Sequence, residues 1–195
     1  MASIHGISVK GMKKFLGHEG EPLYQGNLYL GNKKIGFWSQ DAHGGVCDNF
    51  VFDAPWGWKM QKKLNEWIVK MNADKAIHGG TPEKPFVIEY DLEHLLSDYI
   101  SLSLDEKEYK KAVKAGFSGI LIASDGFHCV SWRLPERYTK MTDEKLLEEM
   151  NDIIVEAKRS FFKEDKFYKH TVKIYRSPED FTIGKPIALG EITCE

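Results

Sequence analysis

Cysteine is scarce in this sequence of 195 residues, and its arrangement excludes the sites that cysteines usually build. The three cysteines, Cys47, Cys129 and Cys194, are widely spaced and form no C-x-x-C pair. A structural zinc site or a disulfide framework needs paired or regularly spaced cysteines. We therefore expect free thiols in a reducing compartment and predict a cytoplasmic protein.

Long apolar runs and a strong net charge are also missing. No stretch approaches the roughly 20 apolar residues of a membrane span, and the first residues lack the basic segment and apolar run of a secretion signal. Lys plus Arg number 27 and Asp plus Glu 29, which gives a net charge of -2. Because so small a charge would not draw the whole molecule to nucleic acid or anionic lipid, we expect no membrane partner, and any nucleic-acid binding would have to depend on a local patch.

The sequence has no internal repeat and no low-complexity segment, which excludes a solenoid and a disordered interaction tail. Neither G-x-G-x-x-G nor G-x-x-x-x-G-K-[ST] occurs, which excludes a Rossmann or P-loop nucleotide site at the level of motifs. The length and the 42% hydrophobic content fit one well-packed domain. We predict a single soluble domain over residues 1–195.

Alternating apolar residues indicate a β-hairpin near the beginning of the chain. The strands are predicted at 26–30 and 34–38, joined at Gly31-Asn32-Lys33, with a short strand at 4–9 beside them. This alternation would place four apolar side chains on the core face: Leu28, Leu30, Ile35 and Phe37.

A second hairpin is predicted by an Asp-Gly turn between residues 119–123 and 127–132. Single strands are predicted at 86–90 and 171–175, the latter followed by an irregular tail. Residues 78–82, with two glycines and a proline, have the composition of a breaker between elements.

Apolar residues at spacings of three and four predict the helices. One begins at Gly57, two short ones occupy 92–100 and 105–115, and the clearest follows Thr142, a suitable N-cap. Strands and helices do not alternate strictly. The predicted fold is therefore α+β, with a mixed or mostly antiparallel sheet built from hairpins and three to four helices packed on it.

The polar, glycine-containing loop 39–49 is the segment most suggestive of function. It concentrates Asp41, His43, Cys47 and Asp48 directly after a strand, where binding and catalytic groups are often displayed. Our leading hypothesis is a small intracellular binding or regulatory protein that engages a protein or small ligand through this loop. The predicted ligand-binding residues are Asp41, His43, Asp48, Trp56 and Trp58, of which Trp56-Gly57-Trp58 offers an aromatic recognition surface.

A hydrolase centred on Asp41, His43 and Cys47 is the alternative, with His43 and Cys47 as its candidate catalytic residues. The thiol could act as a nucleophile with His43 as base, or a metal could activate water. Asp41-Ala42-His43 resembles the Asp-x-His segment of the metallophosphoesterases, but no Gly-Asp or Asn-His pair completes that family's motif set.

Metal ligands and nucleic-acid contacts receive weaker support from the sequence. His18, Glu19 and Glu21 match no metal-binding spacing, so we predict no metal site, and no cofactor is indicated. Lysines at 59–63 and 107–114 could meet phosphates on a helix surface, which makes a nucleic-acid-binding protein the second alternative. The oligomeric state is not predicted.

Overall fold

A computed structural model describes residues 1–42, 48–54, 57–124, 129–150 and 171–192 of the chain. The predicted α+β fold with mostly antiparallel strands is confirmed. Contacts between residues divide the chain into two compact units. The larger unit comprises Ala2–Leu102 and the residues from Thr182 onward, and the inserted unit comprises Ser103–Phe181 with Met1. The single domain over 1–195 stays a prediction.

The elements are numbered along the chain. The strands are β1 (Ser3–Ile4), β2 (Ile7–Leu16), β3 (Pro22–Leu30), β4 (Lys33–Ser39), β5 (Asn49–Phe52), β6 (Ile77–Thr81), β7 (Lys84–Ile88), β8 (Gly119–Ser124), β9 (Cys129–Leu134), β10 (Thr171–Tyr175) and β11 (Thr182–Ile183). The helices are α1 (Gly57–Met71), α2 (Leu92–Lys114), α3, described over 143–150, and α4 (Leu189–Ile192).

The larger unit is built on a six-stranded sheet with the order β11-β1-β2-β3-β4-β5. Strands β1 to β5 pair antiparallel in chain order, and β11 pairs parallel with β1. The predicted hairpin is the β3–β4 pair, and the predicted short strand beside it is divided between β1 and β2. One face of this sheet carries buried apolar side chains: Ile7, Val9, Leu28, Leu30, Ile35 and Trp38.

Two helices contribute further buried apolar residues to the larger unit. The predicted helix from Gly57 is confirmed as α1, and it buries Met60, Leu64 and Ile68. The first half of α2 buries Leu95, Leu96 and Tyr99, and the Tyr99 hydroxyl donates to the backbone oxygen of Val9 at 3.0 Å. This hydrogen bond ties α2 to the core face of the sheet.

Two β-bulges interrupt the regular register of the sheet. In β2, Lys10 pairs with Asn27 but Lys13 pairs with Gln25, so three steps in β2 match two in β3. Gly11, inside this bulge, has a φ of +65°, which glycine adopts without strain. In β4, Gly36 pairs with Leu28 and Lys34 with Tyr29, so Ile35 is the extra residue.

The bulge at Ile35 overturns the prediction that Phe37 faces the core. Leu28, Leu30 and Ile35 are buried as predicted, whereas Phe37 is 37% exposed. Strict alternation would put Ile35 and Phe37 on one face. Because Ile35 is inserted out of step and still turns into the core, Phe37 lies on the opposite face.

The predicted breaker at 78–82 is wrong, because Ile77–Thr81 is strand β6, paired antiparallel with β7. Gly79 lies opposite Phe86, and a Cβ on Gly79 would come within 2.5 Å of the Phe86 ring. The ring therefore covers the glycine, which compensates for its missing side chain. The turn residues Pro82 and Glu83 end the strand instead.

The predicted pair of short helices at 92–100 and 105–115 is also wrong, because α2 runs without a break. The polar residues between them are accommodated in the helix, since the Ser101 hydroxyl donates to the carbonyl of Ser97 one turn earlier. Gly116, with a φ of +86°, follows its end, as the sequence predicts for a helix C-terminus.

The inserted unit contains a three-stranded sheet with the order β10-β8-β9. The predicted pairing of β8 with β9 is confirmed, as is the strand at 171–175. Residues 125–128, which include Asp125-Gly126 of the predicted turn and the first two residues of the predicted strand 127–132, are outside the described residues. One sheet face packs Leu121 and Leu134 against Leu146 and Met150 of α3. Thr142 precedes α3 as predicted, and its side-chain oxygen accepts the Lys145 N–H at 3.4 Å. The predicted continuation of this helix beyond 150 is outside the described residues.

The other face of this sheet carries a polar network that is buried beneath α2. Asp105 Oδ2 accepts the Tyr175 hydroxyl at 2.8 Å and lies 3.2 Å from Lys173 Nζ. Burial and the adjacent Asp105 carboxylate raise the pKa of Tyr175 above its ordinary value. Tyr175 also stacks on Phe181, with ring centroids 4.5 Å apart. The buried Asp105 carboxylate thus accepts from both Tyr175 and Lys173.

In the part of the chain that the structure describes, no helix combines the length and apolar character needed to cross a bilayer.

The β2 bulge gives a first prediction, tested on Gly11. Gly11→Ala should lower the free energy of unfolding by about 1 kcal/mol, because alanine resists positive φ. Gly11→Asn should lose clearly less, since asparagine tolerates this conformation. Urea unfolding of both variants measures the difference. Equal stability of the wild type and the alanine variant would contradict the bulge geometry.

A second prediction concerns the Asp105 network. Tyr175→Phe removes a donor from a buried carboxylate and should cost about 1 to 3 kcal/mol of stability. Tyr138→Phe, at a less buried tyrosine whose hydroxyl accepts from Arg137, is the matched control and should change stability by less than about 0.5 kcal/mol. Thermal and urea unfolding are the measurements, and similar losses in both variants would contradict the prediction.

Candidate functional site

The structure describes part of the site predicted from the sequence. Asp41, Asp48 and Trp58 are described, whereas His43, Cys47 and Trp56 are outside the described residues. The predicted catalytic roles of His43 and Cys47 therefore stay predictions.

Asp48 is fixed at the end of the predicted loop by two elements of the larger unit. The buried Trp38 of β4 donates its indole N–H to Asp48 Oδ2 at 2.7 Å. The backbone N–H of Asp48 donates to Glu93 Oε1 in the first turn of α2 at 3.1 Å. Asp48 therefore joins the sheet to the beginning of α2, and it enters β5 directly afterwards.

The beginning of α2 brings further titratable groups to this place. Asp91 caps the helix: its Oδ1 accepts the backbone N–H groups of Glu93 and His94, each at 3.1 Å. The same oxygen lies 2.7 Å from His94 Nδ1. We refer to Asp41, Asp48, Asp91, Glu93 and His94 as the α2 N-terminal cluster.

Burial and mutual repulsion change the titration of this cluster. Burial raises the pKa of Asp48, and the charges of Asp91 and Asp41 raise it further, while the hydrogen bond from Trp38 opposes them. Burial also raises the pKa of Glu93, with added repulsion from Asp48 and Asp91. The hydrogen bond from the Asp48 N–H and the nearby His94 act in the opposite direction on Glu93. Asp48 and Glu93 thus take up protons more readily than isolated carboxylates do.

Of the residues weighed as metal ligands in the sequence, Glu19 and Glu21 contact each other. Glu21 Oε2 accepts the backbone N–H of Glu19 at 2.9 Å, an interaction within one turn. Among the described residues, no group of three or more His, Cys, Asp or Glu side chains is arranged to hold a metal ion.

The aromatic surface predicted near the start of α1 is described only at Trp58. This side chain, in the first turn of α1, is 70% exposed. It is therefore available for contact with another molecule, as a recognition residue must be.

The β6–β7 hairpin is a second exposed surface, and it was not predicted as a site. Every residue of β7 is exposed, as are all those of β6 except the partly buried Gly79. The register places Ile77 opposite Ile88 and Phe86 opposite Gly79, so alternation puts Ile77, Phe86 and Ile88 on one face. We call these three residues the apolar hairpin face. His78, Pro85 and Val87 lie on the other face.

The base of this hairpin is anchored, unlike its two strands. Tyr90, which follows β7, is buried, and its hydroxyl donates to Asp98 of α2 at 2.6 Å. Lys75 Nζ lies 4.2 Å from the centre of the Tyr90 ring. Burial and the hydrogen bond to Asp98 raise the pKa of Tyr90, so the phenol stays protonated. The exposed strands thus start from a fixed base.

No protein-family model matches this chain, and neither a curated protein nor a solved structure does. A function for this chain is therefore inferred from the geometry of the described residues.

Sequence reasoning overlooked the two features that stand out in the larger unit. Asp91 could have been recognised as a helix N-cap, because His94 follows it three residues later at the predicted start of a helix. The apolar hairpin face was hidden because Gly79 and Gly80 are typical of loops. Its signal was the run from Phe86 to Ile88, which needs a pairing strand.

The raised pKa of Asp48 predicts how stability depends on pH. A carboxyl whose pKa is raised on folding stabilises the native state when protonated, and this contribution is lost as pH rises from the ordinary value, about 3.9, through the raised one. Asp48→Asn should therefore flatten the decline of unfolding free energy across this window. Because the amide oxygen can still accept from Trp38, the variant should be at least as stable as the wild type at neutral pH.

The measurement is urea unfolding of Asp48→Asn across the acidic range, with Asp74→Asn, at an exposed aspartate, as the control. The control should keep the pH profile of the wild type. A profile of Asp48→Asn as steep as that of the wild type would show that this carboxyl does not titrate abnormally.

Proposed function

We propose that this chain is a binding protein that engages a partner protein through the apolar hairpin face of Ile77, Phe86 and Ile88. The observation that carries the proposal is the exposure of this face. Phe86 alone is 51% exposed, and the two isoleucines beside it are also exposed.

The energetics of a small sheet support this function. A two-stranded hairpin is marginally stable in water unless its apolar face packs against something. Burying a large apolar side chain contributes about 1.5 to 3 kcal/mol. Three such side chains on one face therefore offer a partner considerable binding energy.

The contact proposed is through side chains on the face, not through pairing of β7 with a foreign strand. Pro85 is the second residue of β7 and has no N–H to donate. A proline on an edge strand weakens the addition of a further strand. The apolar hairpin face remains as the binding element of β7.

The proposal keeps the class of function predicted from the sequence and changes the contacting element. Engagement of a protein or small ligand through loop 39–49 stays a prediction, with Asp48 and Trp58 placed as described above. The hydrolase centred on Asp41, His43 and Cys47 also stays a prediction.

The test is affinity capture from the native cells with matched variants. Phe86→Ser should reduce the amount of a specific retained protein at least about tenfold, because it removes the largest apolar contact. Val87→Ser is the matched control: Val87 is 54% exposed on the opposite face of the same strand, and its replacement should leave retention unchanged. Quantitative mass spectrometry of the retained proteins, with self-association checked by sedimentation, gives the result.

A third variant leaves Phe86 in place. Gly79→Ala forces the ring away from β6, since the new Cβ would lie 2.5 Å from it, and should also weaken retention. Circular dichroism should show all three variants folded, because the substituted side chains are exposed or partly so. Equal retention by Phe86→Ser and Val87→Ser, or no specific partner and no self-association for the wild type, would refute the proposal.

A further inference from the structure

The six-stranded sheet of the larger unit has a second face, opposite its buried core. Register and alternation place Asn27, Phe37 and Val51 in one row across β3, β4 and β5, with Lys10 of β2 at its end. Phe37 is 37% exposed and Val51 is 64% exposed. We call this the open face: Lys10, Lys13, Gln25, Asn27, Tyr29, Lys34, Phe37, Asn49 and Val51.

Both bulges turn a lysine onto the open face. Lys10 and Lys13 are three residues apart and would point to opposite faces of a regular strand. Because the bulge at Gly11 adds one residue, Lys13 pairs with Gln25 and joins Lys10 on the open face. The bulge at Ile35 does the same for Lys34, which pairs with Tyr29 while Phe37 pairs with Asn27. Bulges often redirect side chains next to functional sites.

The charge of this sheet differs from that of the chain. Strands β2 to β5 carry five lysines and no Asp or Glu, although the whole chain has a net charge of -2. Lys34 is paired with Asp53 at 3.3 Å, just after β5. Lys10 and Lys13 remain as a basic pair on the open face, and no carboxylate lies on these strands to neutralise them.

Aromatic rings accompany these cations. Lys10 Nζ lies 4.1 Å from the centre of the Tyr29 ring. Tyr29 and Phe37 occupy diagonal positions on adjacent strands, which places them roughly 7 to 8 Å apart. Gln25, Asn27 and Asn49 add amide groups, which can both donate and accept hydrogen bonds.

We propose that the open face binds single-stranded nucleic acid. Lysines attract the phosphates, and amides bond to base edges. The exposed ring of Phe37 and the partly buried ring of Tyr29 stack on unpaired bases, which completes the combination that single-strand binding requires. A duplex is a poorer occupant, since its bases are already stacked and unavailable to Tyr29 and Phe37. The net charge of the whole chain, which gives no attraction to nucleic acid, differs from the positive charge of this face.

This site is independent of the apolar hairpin face. The open face contains no residue of β6 or β7. The two proposals can therefore fail separately, and each has its own variants.

The experiment measures fluorescence anisotropy of labelled oligo(dT) and oligo(rU) of about 12 nucleotides, with a duplex of the same length for comparison. The full-length protein should bind both single strands at least fivefold more tightly than the duplex. With two phosphate contacts, the logarithmic salt slope is about -1.4, so raising salt from about 50 to about 200 mM should weaken binding about sevenfold.

Matched variants identify the face. Phe37→Ala should weaken single-strand binding at least about fivefold by removing a stacking ring. Lys10→Gln combined with Lys13→Gln should weaken binding and remove most of its salt dependence. Lys14→Gln is the control for charge, because Lys14 pairs with Tyr24 on the opposite face of the same strand. Leu16→Ala is the control for loss of an exposed apolar side chain, because Leu16 is 67% exposed and lies on the same face of β2 as Lys14.

The proposal holds if both single strands bind, if the open-face variants lose affinity and if the two controls do not. It is overturned if neither oligonucleotide binds, if the duplex binds as well as the single strands, or if Lys14→Gln matches the double lysine variant. Loss of a captured protein in Phe37→Ala without oligonucleotide binding would make this face a protein surface and would also overturn the proposal.

Discussion

The period of two along a β-strand is the constraint on which the larger unit depends. Each residue of β2 to β5 faces either the core of Leu28 and Trp38 or the opposite side of the sheet, and the register decides which. The two bulges change this parity locally without breaking the sheet. They keep apolar residues such as Ile35 inside while the residues that follow are transferred to the other face. The bulges thus bring onto one face of the sheet residues that strict alternation would place on opposite faces.

The sequence predicts those elements of the fold whose patterns are local. The β3–β4 hairpin and the β8–β9 pairing were predictable because turn residues and alternation agree over short distances. The position of Phe37 was not, since a bulge depends on how β4 packs against β3. Helix α2 was divided in error because serines weaken local helix propensity, while burial of Leu95, Tyr99 and Tyr109 along its length overrides it.

The candidate sites show the same division. The role of the polar loop 39–49 as a functional site stays a prediction, and Asp48 at its end is held by hydrogen bonds. Its partner Glu93, however, is 45 residues away in sequence, so only the packing of α2 on the sheet brings the two together. Strand β6 was not predicted for another reason. Its glycines indicate a loop, and only the Phe86 ring on the neighbouring strand compensates for a missing side chain. Both omissions involve long-range or cross-strand contacts that a local pattern does not contain.

The parallel pairing of β11 with β1 has a consequence for the order of folding. Ser3 lies beside Thr182, so strands from opposite ends of the sequence must meet before the sheet is complete. During synthesis, β1 to β5 emerge long before β11, and β1 waits as an open edge while the whole inserted unit is made. Closing so long a loop slows folding, since its entropy cost precedes the contacts that repay it. Until β11 has been synthesised, β1 lacks the neighbour with which it pairs in the folded chain, and its outer edge is open to pairing with another strand.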